Sequence, residues 1–356
     1  MGRRYYEVDT GPWWNPAYWA KRTWIIVGVA LVVVLAIVIP VGVVVSRNNS
    51  HSNAYPDYGP LNYTLKDTCR WRQDGGGGGG GGGDDSGESF FDKFDYYTGF
   101  DPAQGFVHYV PAAQAASLNL TSASSASAVI RVDTSVGPSS NPDASTGRFS
   151  VRIQSKAQYD NGLFVFDVKH TPYGCGTWPA LWLVDPNNNI WPAHGEIDIM
   201  EAVNQATAGN SVTLHTTGDC TMADVKREMA GKALQADCHN TTDGNAGCGV
   251  DGAPATFGAA YNNAGGGTVA VEWRTSPPTI GSHFTNASIV ANIDLCGALG
   301  EAKYPTSGCP MPCASSDHKC IGGTAPTSCT DYVANNPEAF ANAYWEFGAF
   351  DVYQAA

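Results

Sequence analysis

From residue 60 onward the chain alternates. Runs such as FVHYV, AVIRVDT, FSVRIQS, GLFVFDVKH, PALWLVD, SVTLHTT, TVAVEW and YWEFGAFDVYQ set apolar residues at every second position or in brief unbroken stretches. Clusters of Gly, Pro, Asn and Ser separate them. A period of two sends one face of a strand to a core and the other outward. No part of this region sustains a 3.6-residue period, although NPEAFANAYW has the spacing of a helical turn. Many short strands joined by turns predict an all-β sandwich or barrel, and about 290 residues of them fit one domain.

The region before it is patterned differently. TWIIVGVALVVVLAIVIPVGVVVS, residues 23–46, carries no charge over 24 residues. A membrane span needs roughly 20 apolar residues. A secretory signal has a shorter apolar core, nearer the N-terminus, with a small-residue cleavage site. Arg3, Arg4, Lys21 and Arg22 precede the run, and only Arg47 follows closely. Trp13, Trp14, Tyr18, Trp19 and Trp24 cluster at its entry side. The bias of positive charge and the interfacial aromatics predict a single-pass type II membrane protein. Its parts are a cytosolic tail over 1–22, a transmembrane helix over 23–46, a stalk over 47–59 and the β domain over 60–356. That domain is expected on the lumenal or extracellular side.

Composition supports this division. All ten cysteines follow the span, as do five N-x-S/T sequons at Asn48, Asn62, Asn119, Asn240 and Asn286. An even cysteine count in an oxidising compartment reads as disulfides, with the pairing left open. Cys220, Cys238 and Cys248 share one loop-rich region and are expected to staple it. The nine glycines Gly75–Gly83 cannot pack a core and read as a flexible insertion within the domain. A net charge of −13 speaks against nucleic acid as a partner, since phosphate needs a basic face.

One strand-like run holds the candidate chemistry. HGEIDIMEAVN, residues 194–204, spaces Glu196, Asp198 and Glu201 two and then three apart. In a regular strand Glu201 falls on the face of Ile197 and Ile199. An unpaired carboxylate among isoleucines costs several kcal/mol or stays protonated. A β-bulge at Ile199–Met200 adds one residue and returns Glu201 to the side of the other two acids. The isoleucines then face the core. Three acids on one face repel, so their pKa values must separate. Retaining glycoside hydrolysis uses one ionised and one protonated carboxyl about 5–5.5 Å apart. Four strand steps separate the two glutamate Cα atoms by about 13 Å, so the side chains must lean together. Calcium loops present Asp, Asn and Gly at alternate positions, and this run is too apolar for one.

GEIDIMEAVN resembles the E-x-D-x-x-E signature of glycoside hydrolase family 16, the laminarinase-like β-glucanases. FFDKFDYYTGFDPAQGFVHYV, YDNGLFVFDVKHTPYGCGTWPALWLVD, VTLHTTGDC and NPEAFANAYWEFGAFDVYQ extend the likeness to the fungal laminarinase-type branch, over most of residues 60–354. The resemblance implies a β-jelly-roll sandwich with a substrate cleft across a concave sheet. It implies retaining endo-hydrolysis of β-1,3 or mixed β-1,3/1,4-glucan, with Glu196 as nucleophile, Asp198 as its assistant and Glu201 as acid/base. No cofactor is implied. Two features depart from the pattern: the glycine run, and the short RTSPPTIGSHFTNASIVAN segment, where a longer stretch with a further aromatic strand is usual.

Four further residues are candidates for substrate contact. Trp178 and Trp182 share a strand face, and Trp191 precedes the acids by five residues. Each could stack on a sugar ring or simply fill the core. His215, in LHTT, is placed beside the acids as a partner of Asp198 or of substrate, or as a structural histidine. The same site could hand the sugar to another glucan, as a wall-remodelling transglycosylase does. A non-catalytic glucan-binding protein is the reading from another class, and it would have no use for the mutual repulsion of the acids.

Overall fold

The strands form where the alternation places them. The structure, a computed structural model, describes residues 16, 24–27, 63–69, 90–124, 126–137, 139–140, 146–223, 228–274, 280–311 and 328–355. By its internal contacts the chain divides into residues 1–59 and residues 60–356. In the first part, Trp24–Val27 are helical, with Trp24, Ile25 and Ile26 exposed. The rest of the expected span over 23–46, with almost all of the tail and all of the stalk, lies outside the described residues. So does the glycine run. Among the described residues no helix is long and apolar enough to cross a membrane.

Residues 60–356 contain two sheets and a short parallel pair, with strands β1–β16 numbered along the chain. One sheet runs β14 (Gly267–Trp273), β8 (Gly162–His170), β16 (Tyr344–Ala355), β5 (Ala128–Arg131), β4 (Thr121–Ala123), and β1 (Tyr63–Cys69) also pairs with β16. The other has eight strands: β12 (Lys232–Ala233), β13 (Cys248–Asp251), β11 (Ser211–His215), β10 (Glu196–Glu201), β9 (Thr177–Val184), β15 (Ser288–Leu295), β7 (Arg152–Ser155) and β2 (Phe94–Tyr96). β3 (Val107–Tyr109) and β6 (Arg148–Ser150) form the parallel pair. The helices are single turns or little more, such as Ala112–Ser117 and Cys329–Asn335. The turn expected in NPEAFANAYW is the 3₁₀ helix Pro337–Phe340.

The inward faces make one core. Leu181, Leu183, Ile197, Ile199, Met200, Ile289, Ala291 and Ile293 line it from the eight-stranded sheet; Ile130, Phe164, Phe166, Trp345, Phe347 and Phe350 line it from the other. Phe90 and Phe94 join the aromatic cluster, with ring centroids 5.0 Å apart and Phe90 5.2 Å from Phe350. Each buried side chain of this size contributes about 1.5–3 kcal/mol, and the edge-to-face contacts add to that.

The short segment after TVAVEW leads from β14, an edge strand of the first sheet, to β15 in the second. Its last five residues, Ser288–Asn292, open β15, which is buried along its whole length between β9 and β7.

Among the described residues three disulfides cross-link the domain: Cys175–Cys309, Cys296–Cys329 and Cys238–Cys248. Cys238–Cys248 fulfils part of the expected staple. Cys220 does not join it; it is a buried thiol packed beside that disulfide. The pairing leaves it the odd member of a local group of three. Cys69 is likewise a buried thiol, pushed up to about 12 mainly by burial, with Asp67 next. Cys313 and Cys320 lie outside the described residues.

Candidate active site

The acids stand on β10, near the middle of the eight-stranded sheet. Against β9, Asp198 pairs with Trp182 and Met200 with Leu181, so Ile199 and Met200 together oppose one residue. Against β11, Glu196, Asp198 and Glu201 pair with His215, Thr213 and Ser211. The extra residue therefore sits at Ile199–Met200. It sends Ile197, Ile199 and Met200 to the core and all three acids to the opposite face. The ladder thus has its extra residue where the three-residue gap between Asp198 and Glu201 requires one.

A bulge leaves backbone groups without ladder partners, and a side chain supplies them here. The Glu201 N–H donates to Asn210 Oδ1, and Asn210 Nδ2 donates to the Ile199 carbonyl, each at 2.9 Å. One amide therefore completes the bonding on both sides of the extra residue. Asn210 is itself pinned: its N–H donates to Thr256 Oγ1 at 2.9 Å and its carbonyl accepts from Gly252 N at 2.7 Å.

The predicted aromatic residues gather at the acids, in roles that pairing decides. Trp178 Nε1 donates to Glu201 Oε1 at 2.7 Å, and Trp191 Nε1 donates to Glu196 Oε2 at 2.7 Å. Each glutamate is thus held by one indole. Trp182 points its Nε1 to Asn292 Oδ1 at 2.9 Å, and the Arg152 guanidinium lies 5.0 Å from its ring. Arg152 also lies 4.4 Å from the Tyr97 ring, so it sits between two aromatic side chains. Trp191 is the most open of the three predicted tryptophans, 36% exposed. His215 turns Nε2 to Asp198 Oδ2 at 3.4 Å, while its Nδ1 meets Asn245 Oδ1 at 3.1 Å. All seven predicted site residues thus fall on one face of adjacent strands or on the loop over it.

The electrostatics follow from crowding. Glu196 and Glu201 keep only an edge toward solvent, and Asp198 is 4% exposed. Burial pushes Glu196 up to about 8, with the neighbouring Asp198 charge adding to it; His215 and the Trp191 N–H pull it back. Burial pushes Asp198 and Glu201 up to about 7, and the Trp178 N–H partly offsets the rise at Glu201. The three titrate as one coupled set, so near neutral pH they share protons and keep part of the charge. That gives a site an acid and a base at the same pH. Glu196, Asp198 and His215 each offer one ligand atom within 4.8 Å of the others, a donor set a divalent ion could use. Nothing in the carboxylate chemistry calls for one.

Asn210, Asn245, Asn292, Arg152 and Asp185, just after β9, were not singled out in the sequence. Their only sign there is a polar residue in or beside a strand, which is common.

An all-β sandwich with paired, protonatable carboxylates on an open sheet face is the framework of a polysaccharide-cleaving enzyme. The chain belongs to glycoside hydrolase family 16: the model of the XgeA-like catalytic domain matches residues 94–280 and 275–353. The two pieces meet at the short segment after β14. A probable glycosidase of Schizosaccharomyces pombe is 38% identical over 294 residues, covering 75% of this chain and 67% of that protein. A probable endo-1,3(4)-beta-glucanase of Aspergillus niger is 36% identical over 305 residues, 75% of this chain and 39% of that one. The endo-1,3(4)-beta-glucanase xgeA of Emericella nidulans is 34% identical over 310 residues, with 75% and 46% covered. The chain therefore spans less than half the length of the latter two relatives. Among solved structures, laminarinase 16A of Phanerochaete chrysosporium superposes with a TM-score of 0.66 at 34% identity, over 82% of this chain and 100% of that one. An elongating family 16 β-1,3-glucosyltransferase gives the same TM-score of 0.66 and coverage at 31% identity.

Proposed function

We propose that this chain is a retaining endo-glucanase acting on β-1,3 or mixed β-1,3/1,4-glucan. The observation that carries the reading is the bulged strand, which puts Glu196, Asp198 and Glu201 on one face with an indole N–H on each glutamate. The names of the relatives supply the glucan. In the first step a Glu196 carboxylate oxygen attacks the anomeric carbon while the glycosidic C–O bond breaks. Glu201 gives its proton to the departing oxygen. In the second step water attacks the same carbon, Glu201 takes the water proton, and the bond to Glu196 breaks. For Glu196 to be ionised, Asp198, beside His215, holds one of the shared protons, because a negative Asp198 pushes Glu196 up. Trp191, the open indole, provides the sugar-facing surface.

The test is reducing-end release from laminarin by purified residues 60–356, beside Glu196→Gln and Glu201→Gln, with products sized. Shorter oligosaccharides from wild type and none from either variant are expected. Laminarin binding without turnover by wild type would refute the enzyme reading. Longer products would favour transglycosylation, a reading supported by the likeness to the elongating glucosyltransferase.

The membrane placement belongs to the same proposal: residues 23–46 anchor the chain and the β domain lies outside the cytosol. The uncharged 24-residue run and the basic residues before it support this. Carbonate extraction and protease protection of the full chain test it; release by carbonate would refute the anchor.

A further inference from the structure

The mechanism does not use Asp185, yet this buried carboxylate is tied in three directions. It is 5% exposed and directly follows β9, at the base of the loop that carries Trp191. Its Oδ1 accepts from the Asn187 N–H at 2.8 Å, just inside the loop. Its Oδ2 lies 2.7 Å from His194 Nδ1, where the loop returns to β10. The same oxygen accepts from Asn286 Nδ2 at 2.7 Å, across from a distant segment. One carboxylate therefore joins the start and the end of the 186–195 loop and fastens both to residues 284–287.

The surroundings tighten this joint. The Thr285 N–H donates to the His194 carbonyl at 3.1 Å, and the Asn286 N–H donates to Asp160 Oδ1 at 2.8 Å. Gly195 has φ +69°, and a Cβ there would collide with the Phe284 ring and the His283 carbonyl. The last residue before Glu196 is thus pressed against the same segment. Trp191, in the middle of the loop, is held more loosely: its backbone N–H reaches the Asn188 carbonyl at 3.4 Å and its ring lies 6.3 Å from that of His215. It is 36% exposed, and its indole reaches Glu196 Oε2 at 2.7 Å. Where burial does not hold a side chain, the backbone beneath it must; a misplaced donor is worth little to the transition state.

We infer that Asp185 is a positioning residue for the proposed nucleophile: through His194 and Asn286 it sets the loop that aims the Trp191 N–H at Glu196. The inference rests on the glycosidase reading for its catalytic consequence alone; the geometric coupling stands without it.

The test is a double-mutant cycle of Asp185→Asn with Trp191→Phe, read in two ways. The first readout needs no activity. In protein labelled with ¹⁵N-tryptophan, the indole N–H signal absent from Trp191→Phe identifies Trp191. Asp185→Asn should shift that signal and speed its exchange with solvent, while the Trp178 and Trp182 signals stay in place. The second readout is the rate of labelling by a 2-deoxy-2-fluoro laminaribiosyl fluoride. Its leaving group departs without a proton, so labelling reports on Glu196 without Glu201. Each single change should slow labelling about tenfold, and the double variant about as much as either single one, because the two act as a unit. If Asp185→Asn does not fold, His194→Asn breaks one of the three ties and enters the same cycle, with a smaller effect. An unchanged Trp191 signal, or single effects that multiply to about a hundredfold, would overturn the inference. A wild type that neither labels nor turns over laminarin would refute the glycosidase reading and leave the indole signal to decide this one.

Discussion

Replacing Asn210 by leucine removes the one side chain that bonds to both sides of the catalytic bulge while nearly preserving its volume. Two hydrogen bonds are lost, Glu201 N–H to Oδ1 and Nδ2 to the Ile199 carbonyl, both 2.9 Å. A net contribution of about 1 kcal/mol each gives about 2 kcal/mol. A backbone group left unpaired inside protein costs about 1–3 kcal/mol more. Asn210 is only half-buried, so water can reach part of the gap, and the lower end of that range applies. The expected loss is about 2–4 kcal/mol, or a fall in Tm of about 5–10 °C for a domain of this size. Activity should fall further than stability explains at assay temperature. The freed bulge can relax toward a regular strand, which rotates Glu201 toward the Ile197 face. Urea unfolding and the kcat for laminarin should be measured on the same preparations, with Asn210→Asp as companion. That variant keeps the acceptor for the Glu201 N–H and loses the donor to Ile199, so it should fall between wild type and Asn210→Leu in stability. Unfolding within about 0.5 kcal/mol of wild type, together with an unchanged kcat, would refute the reasoning, since substitutions at positions without such a role fall in that range. The ladders to β9 and β11 would then hold the bulge by themselves.

Two further outcomes follow from the shared charge of the acids. Trp178→Phe removes the N–H that holds the Glu201 carboxylate at 2.7 Å. A hydrogen bond to a charged group contributes about 1.5–3 kcal/mol, so the alkaline limb of kcat/KM should move up by about 1–2 pH units; a limb that stays in place would refute the assignment of Glu201 as the acid. Burial raises Glu196 to about 8 and Asp198 and Glu201 to about 7, all above their unfolded values. The folded domain therefore binds more protons than the unfolded chain between about pH 4 and 8, and its stability should fall as pH rises through that window. Asp198→Asn removes one member of the set and should flatten the fall by about 2–4 kcal/mol between pH 4 and 8, seen in urea unfolding at both ends. Equal pH slopes for wild type and variant would count against raised carboxyl pKa values.

Much of the site was legible because it depends on parity, which is local. An alternating strand repeats every two residues, so a three-residue gap between acids flanked by isoleucines already demands an extra residue. The structure puts it at Ile199–Met200. The same parity put Trp178 and Trp182 on one strand face, and the repeated short strands announced an all-β sandwich or barrel. The resemblance to family 16 was carried by contiguous blocks for the same reason: each is one strand or turn, readable alone.

What the tertiary structure decided are relations between residues far apart in the chain. The sequence placed His215 beside the acids, but nothing local in LHTT says that it pairs across from Glu196, or in AGNS that the Asn210 side chain completes a bulge nine residues away. The Trp178 and Trp191 indoles read as sugar platforms or core filling; the ladder and the loop turned their N–H groups onto the two glutamates. Cysteine pairing went the same way, since Cys175–Cys309 spans 134 residues, and of the local group of three it is Cys238 and Cys248 that pair while Cys220 packs beside them. Asp185 is the extreme case. It is one aspartate before a proline in sequence, and its three partners meet only after β9, β10 and β15 have paired. Periodicity is set by each strand's own residues, so the sequence alone determines it. The direction of a donor depends on which strand lies beside it and in what register, and that exists only once the sheet has closed.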